Sequence, residues 1–139
     1  MELKLTKHDE SVWKKIQTTK RLAAERQIHA AIRHLLSGEF ECAVTLALAA
    51  EDQLPDTSEP TLWNVLKQQV VPSDMRVFND LRDWLKHGSG KDAREISELE
   101  VAIALIRATT RYFAVFKFET DEMRAFVKWC TDKGRFALS

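Results

Sequence analysis

The sequence predicts an all-α fold, a helical bundle of four to five main helices with a few shorter ones. Only four Gly and three Pro occur in 139 residues, so few positions disfavour helix. Apolar residues recur three and four positions apart along most of the chain, which is the period of an amphipathic helix. Hydrophobic residues make up 45% of the chain, enough for one core without a disulfide or a metal ion.

We expect two parts, an N-terminal tail with a short helix over residues 1–18 and a single helical-bundle domain over 19–139. Val12, Trp13 and Ile16 have helical spacing, and we expect Trp13 to pack on the domain. The tail has no apolar run of signal-peptide length, and no stretch reaches the roughly 18 apolar residues of a membrane span. These features indicate a cytoplasmic protein with no membrane partner.

The first strong helix is predicted from about Thr19 to Ser37, with Gly38 as its stop. Its apolar stripe consists of Ile28, Ile32, Leu35 and Leu36. Glu25, His29 and Arg33 follow one another at i,i+4 spacing. This line predicts a surface ladder of ion pairs, with a ligand-binding edge as the alternative.

The second helix is predicted from about Phe40 to Leu54 and is rich in Ala, so that a neighbouring helix can approach closely. Pro55 ends it. Glu51 continues the apolar stripe, where a carboxylate needs a partner or an exit to solvent. We expect either that Arg82 or His87 pairs with it, or that it reaches water at the helix end.

A loop of turn residues at 55–60 and a short helix at 61–70 come next. The third main helix follows, beginning near Pro72 and ending at Gly88. Its buried face is predicted to hold Phe78, Leu81, Trp84 and Leu85.

Polar groups gather at the C-terminal end of this third helix. Asn79, Arg82 and Lys86 lie on one face, while Asp83 and His87 form an i,i+4 pair that can hydrogen-bond. An ordinary solvated helix face is one interpretation of this pattern. In the functional interpretation, the catalytic candidates are Arg82, Asp83 and His87. The candidate ligand-binding residues are Asn79, Lys86 and Glu51.

The longest helix is predicted from about Ala93 to Phe118. It follows a capping-box spacing at Asp92 and Glu95 that recurs five residues later at Ser97 and Glu100. Its apolar residues mark two opposite faces, so we expect either the central helix of the bundle or a dimer seam. A last helix begins after a Thr at position 120 and ends at a Gly at position 134.

The 21 basic and 21 acidic residues balance, which argues against strong nonspecific binding of nucleic acid. The distribution is uneven, because residues 38–60 carry six acids and no base. Cys42 and Cys130 are too few for a disulfide framework, and both fall in apolar helical patterns. We expect reduced core cysteines.

Spacing excludes several kinds of site. The chain has no Glu-x-x-His pair for a di-iron centre, no Cys-x-x-Cys or His-Glu-x-x-His for zinc, and no Gly-x-Ser-x-Gly nucleophile elbow. The run GSGK at 88–91 lacks the Walker spacing for a phosphate-binding loop. We therefore expect no metal and no cofactor.

The run RDWLKH, from Arg82 to His87, places an Arg and a small polar residue ahead of a His in a helical bundle. This arrangement resembles the HEPN domains, the "higher eukaryotes and prokaryotes nucleotide-binding" superfamily. Asp83 stands where that family commonly has Asn, Asp or His. The order of elements is also similar over about residues 19–118: an amphipathic helix, an Ala-rich helix ending in acids (LALAAEDQL), a motif helix and a long helix.

The resemblance implies chemistry on RNA. Many HEPN proteins are metal-independent endoribonucleases in which a 2′-hydroxyl attacks the adjacent phosphate. His87 is then the general base or acid, and Arg82 holds the phosphate. Asp83 or Glu51 orients one of these side chains. The implied partners are RNA or a nucleotide, and a cognate antitoxin or nucleotidyltransferase-type protein.

Helix geometry favours a homodimer for such a site. Residues 82 and 87 are five positions apart and point about 140° from each other on a straight helix, so one helix cannot aim both at one phosphate. The resemblance implies the solution, a cleft in which the motifs of two protomers meet. A non-catalytic helical interaction module, such as an antitoxin or a partner-binding subunit, is the alternative function.

Overall fold

The computed structural model describes residues 1–4, 12–56, 72–87 and 90–135. Five α-helices and one 3₁₀ turn occur in these ranges: α1 Lys20–Leu36, α2 Phe40–Asp52, α3 Pro72–His87, α4 Glu98–Phe116, α5 Asp121–Thr131 and the turn Asp132–Gly134. No strand occurs in the described ranges, and the prediction of an all-α bundle is confirmed. The short helix predicted at 61–70 lies outside the described residues.

Helices α1 and α2 form an antiparallel pair joined by residues 37–39. The Thr19 side chain caps α1 by accepting a hydrogen bond from Leu22 N at 3.0 Å. Gly38 takes a φ of 79°, a left-handed conformation that glycine adopts without strain, and the chain reverses there. Three alanines of α2 are fully buried, which allows the close approach that its composition predicts: Ala43, Ala47 and Ala50.

Helix α4 is the central element of the described bundle, because it packs against α1, α2 and α5. Val101, Leu105 and Tyr112 are fully buried on one side, and Ile103 is buried on the other. The sequence pattern places Leu99 and Phe113 on the same apolar face as Ile103, but they are 41% and 50% exposed, so the two ends of that face are not buried.

The segment ahead of α1 does not form the predicted short helix over the part that the structure describes. Residues 12–19 are not helical, and residues 5–11 lie outside the described residues. Trp13 is 56% exposed, so its predicted packing on the domain is not observed. No helix of the described ranges combines the length and the apolar character needed to cross a bilayer.

The predicted ladder of Glu25, His29 and Arg33 is wrong, because His29 bonds the cap of α5 and Glu25 pairs with a different residue of α1. His29 Nε2 is hydrogen-bonded to Thr120 Oγ1 at 2.8 Å. Glu25 instead lies 3.8 Å from Arg21. Packing of α1 against the start of α5 brings His29 to the cap of that helix.

Replacing Thr120 with Ala is expected to lower the free energy of unfolding by about 1–2 kcal/mol. Thr120 Oγ1 accepts a hydrogen bond from Met123 N at 3.2 Å at the first turn of α5, and the same oxygen contacts His29. Urea denaturation measures the loss. The matched control is Thr131→Ala, whose hydroxyl only bonds Lys128 O on the same helix. Equal losses in both variants would contradict the capping role.

Both cysteines are free thiols, Cys130 buried and Cys42 half-buried. Burial raises the pKa of the Cys130 thiol to about 12. Its thiolate fraction at pH 8 is therefore on the order of 10⁻⁴, far too low for a nucleophile. In a Cys42→Ser variant at pH 8, we expect a thiol-specific reagent to label the folded protein at least about 100-fold more slowly than the urea-unfolded protein. Similar rates in the two states would contradict this burial.

Candidate functional site

All of the candidate residues except Glu51 lie on the last turns of α3. One face of this helix packs against the core. Leu81 is fully buried, and Trp84 and Leu85 are half-buried against the core. The side chain of Phe78 lies outside the described ones. Burial of this face confirms the predicted inward side from position 81 onward and leaves the polar groups of the helix at the surface.

Four of these polar side chains are exposed and a fifth is half-buried. Asn79, Asp83, Lys86 and His87 are exposed, and Arg82 is half-buried. Within the described ranges, no side-chain hydrogen bond or ion pair involves Arg82, Asp83 or His87. The hydrogen bond that the spacing of Asp83 and His87 permits is not formed in this structure. Both groups face solvent, where water competes with a local pair.

Lys86 connects the end of α3 with the end of α2. Its Nζ lies 3.9 Å from Asp52 Oδ2, and the two side chains are 43% and 68% exposed. A salt bridge between two such exposed side chains adds little to the stability of the fold. The contact shows that the candidate residues of α3 lie beside the acidic end of α2.

Glu51 is held inside the bundle by α4, and not by α3. Its Oε1 accepts a hydrogen bond from Arg107 Nη2 at 2.8 Å, and Arg111 Nη2 lies 3.5 Å from the same oxygen. Both predicted outcomes for this carboxylate are wrong: the partner is neither Arg82 nor His87, and the side chain is only 9% exposed. The physical reason is the position of α4, whose arginines lie one helical turn apart against the buried end of α2.

The described structure thus separates the candidate set into two groups. Asn79, Arg82, Asp83, Lys86 and His87 form an open surface at the end of α3. Glu51 belongs to an internal ion pair that joins α2 to α4. Arg107 and Arg111 were absent from the sequence-based candidates, although their i,i+4 spacing on the long helix was a visible signal.

A cavity of about 430 Å³ lies beside α3, and we call it the Trp84 cavity. Its lining residues are Asp80, Asp83, Trp84, Gly90, Lys91, Ala93 and Arg94. Only Asp83 among these was a sequence-based candidate. The missed signal was helical spacing, since positions 80, 83, 84 and 87 share one side of α3.

Side chains from three segments fix the walls of the Trp84 cavity. The indole Nε1 of Trp84 donates a hydrogen bond to Lys91 O at 2.6 Å. Arg94 lies with its Nε 3.5 Å from Asp80 Oδ2, and its Nη1 donates to Glu100 Oε2 at 3.1 Å. Residues 90–94 are therefore tied to both α3 and α4, which preforms the cavity.

The unbroken helix from residue 72 to residue 87 keeps Arg82 and His87 on different sides of α3. Their directions differ by about 140°, as five residues of regular helix require. A single copy of α3 cannot direct both groups at one small ligand. In the described parts of the chain, no group of three or more His, Cys, Asp or Glu side chains is placed to hold a metal ion.

Searches with this chain against protein-family models, curated proteins and solved structures find no match.

Proposed function

We propose that this protein is a HEPN-like RNA- or nucleotide-binding domain that cuts RNA without a metal ion, at a cleft between two copies of the chain. One observation carries the proposal: Arg82 and His87 are displayed at the end of α3 with no internal side-chain partner in the described ranges. Two other cations at or beside α3 have acidic partners: Lys86 meets Asp52, and Arg94 meets Asp80 and Glu100.

The two side chains have complementary chemistry for phosphate transfer. A guanidinium presents a planar set of N–H donors that matches the oxygens of a phosphate. An imidazole exchanges a proton near neutral pH, which suits a general base or acid. RNA itself supplies the nucleophile, its 2′-hydroxyl, so neither group has to form a covalent bond.

Two copies of α3 can direct an Arg82 and a His87 at the same phosphate, although the two side chains of one copy point about 140° apart. In a symmetric dimer, His87 of one protomer and Arg82 of its partner face the same phosphate across the two-fold axis. His87 takes the proton of the 2′-hydroxyl, the 2′-oxygen bonds to phosphorus, and the 5′-oxygen leaves with a proton from water. Arg82 stabilises the charge on the phosphate oxygens. The products are a 2′,3′-cyclic phosphate and a free 5′-hydroxyl.

The test is incubation of the purified protein with mixed RNA in EDTA, with identification of the new RNA ends, beside analytical ultracentrifugation. We expect cleavage with cyclic phosphate ends and a dimeric protein. A strictly monomeric protein, or the absence of RNA cleavage, would overturn the proposal.

A non-catalytic interaction module is the second candidate, and a separate observation favours it. An apolar groove of about 130 Å³ lies between α1 and α5, lined by Ile32, Leu35, Leu36, Ala125, Phe126 and Trp129. Leu36 is 65% exposed at the edge of this groove and extends its apolar lining to the surface. Under this alternative a partner protein covers the groove and RNA is untouched. A Leu36→Glu variant then loses its partner, while variants at position 87 keep it.

A further inference from the structure

We infer that the Trp84 cavity is a guanine-binding subsite that holds the base of a nucleotide next to the phosphate handled at His87. The inference rests on the proposed function and adds a base preference to it. It is carried by the shape of the cavity, its single aromatic wall, and the one carboxylate in it that has no described partner.

The aromatic wall is prepared for stacking. Trp84 uses its only polar atom to donate to Lys91 O at 2.6 Å, so the indole is held in place and presents carbon atoms to the cavity. Stacking on an aromatic side chain is the common way in which proteins hold an unpaired base. Gly90 lies against one edge of the indole, where a Cβ would be in van der Waals contact with Trp84 Cδ1 at 3.8 Å, so a base must approach the indole from the side that faces Asp83.

Two carboxylates line the polar side of the cavity, and one of them has no described side-chain partner. Asp80 pairs with Arg94 at 3.5 Å, whereas Asp83 has no side-chain partner among the described residues. An ionised carboxylate only accepts hydrogen bonds, and it has two oxygens. Guanine is the base whose Watson–Crick edge presents two adjacent donors, N1–H and the 2-amino group. Adenine and cytosine each place a ring acceptor beside a single amino donor, which repels the second oxygen.

The volume of the cavity and one lysine in its lining suit a nucleotide. Arg94 is already paired with Asp80 and Glu100, which leaves Lys91 as the described lining cation that can meet an anionic group. The ammonium of Lys91 favours a ligand that carries phosphate. A cavity of about 430 Å³ lies within the size range of small-ligand sites.

The position of the cavity connects it with the catalytic candidate. Asp83 and His87 are one helical turn apart on the same side of α3, about 6 Å along the helix axis. A base seated against Trp84 therefore leaves its ribose and phosphate near the imidazole. Arg82 of the same protomer points elsewhere, which agrees with an arginine supplied by the partner.

Isothermal titration calorimetry with the full chain and three nucleotides tests the inference. The ligands are GMP, AMP and IMP, the last of which lacks the 2-amino group of GMP. We expect GMP to bind at least about tenfold more tightly than IMP or AMP, the factor set by one hydrogen bond to a charged group. In Asp83→Asn this preference disappears, because the amide presents a donor to the base. Asp92→Asn, an exposed neighbour outside the cavity lining, keeps the preference.

Three results would overturn the inference: equal affinity for GMP and AMP, an unchanged preference in Asp83→Asn, or tighter binding of arginine amide than of GMP. Asp83 is exposed, so its substitution leaves the fold intact. In addition, Trp84→Leu is expected to weaken all three nucleotides alike. RNA cleavage without guanine preference would remove this inference and keep the proposed function. Guanine-selective binding without cleavage would keep the guanine subsite and remove the proposed RNA cleavage.

Discussion

Replacement of His87 by Ala is expected to slow RNA cleavage in EDTA by at least about 100-fold, the lower end of what general acid–base catalysis contributes. The imidazole is exposed at the end of α3 and has no described side-chain partner. Its removal therefore deletes a proton acceptor without removing a side-chain contact of the described part of the chain. Single-turnover cleavage rates measure the effect, and circular dichroism melting checks that the fold is unchanged.

The matched control for His87 is His34→Ala, at the corresponding end of α1. His34 Nδ1 lies 3.0 Å from Glu39 Oε1 and has no place in the proposed site. For the guanidinium, Arg82→Ala and Arg82→Lys are both expected to slow cleavage, since an ammonium lacks the planar fork. Arg76→Ala, exposed on the same helix, serves as its control. Full activity in the His87→Ala variant would exclude the imidazole from the reaction.

A mixture of two inactive variants tests whether each active site contains residues from both protomers. Arg82→Ala and His87→Ala proteins, unfolded together and refolded, are expected to recover about a quarter of the wild-type rate. Half of the dimers are then mixed, and each mixed dimer holds one site with both an intact Arg and an intact His. Refolding each variant alone is the control. No recovery in the mixture would contradict the shared cleft.

Replacement of Glu51 by Gln is expected to lower the free energy of unfolding by about 3 kcal/mol, as for a buried ion pair that loses one partner. The side chains of Glu51 and Arg107 are only 9% and 18% exposed, so water cannot replace the lost charge. Arg111, 3.5 Å from the same oxygen, loses the same counter-charge. Urea denaturation at neutral pH measures the change.

Two further variants separate this ion pair from a general effect of charge at the end of α2. Asp52→Asn removes the neighbouring carboxylate, which is 68% exposed and only meets Lys86, and is expected to cost less than about 1 kcal/mol. In a Glu51→Met, Arg107→Met double variant we expect most of the stability to return, since apolar residues of similar size often replace a buried pair without loss. A cost as small as that of Asp52→Asn would show that the pair contributes nothing.

The ends of most helices were predictable from local chemistry. The helix predicted from Thr19 to Ser37 spans Lys20–Leu36, because capping side chains and glycines act within a few residues of the chain. The long helix is the exception, since it begins at Glu98 and not near Ala93. Of its two capping spacings, the chain uses the one at Ser97, whose side chain accepts from Glu100 N at 3.3 Å. The residues before it stay extended and carry Arg94 between α3 and α4.

By itself the sequence determined the all-α class, the main helices and the polar end of α3, because the apolar period and the residues that begin and end a helix depend only on neighbouring positions. Only the tertiary structure decided what each polar group does. Glu51 was predicted beside Arg82 or His87 and instead lies against Arg107, and the Trp84 cavity arises where residues 90–94 fold back onto α3. Such contacts join residues 56 positions apart in the Glu51–Arg107 pair and 91 positions apart in the His29–Thr120 pair. They depend on how whole helices pack, which no local pattern encodes.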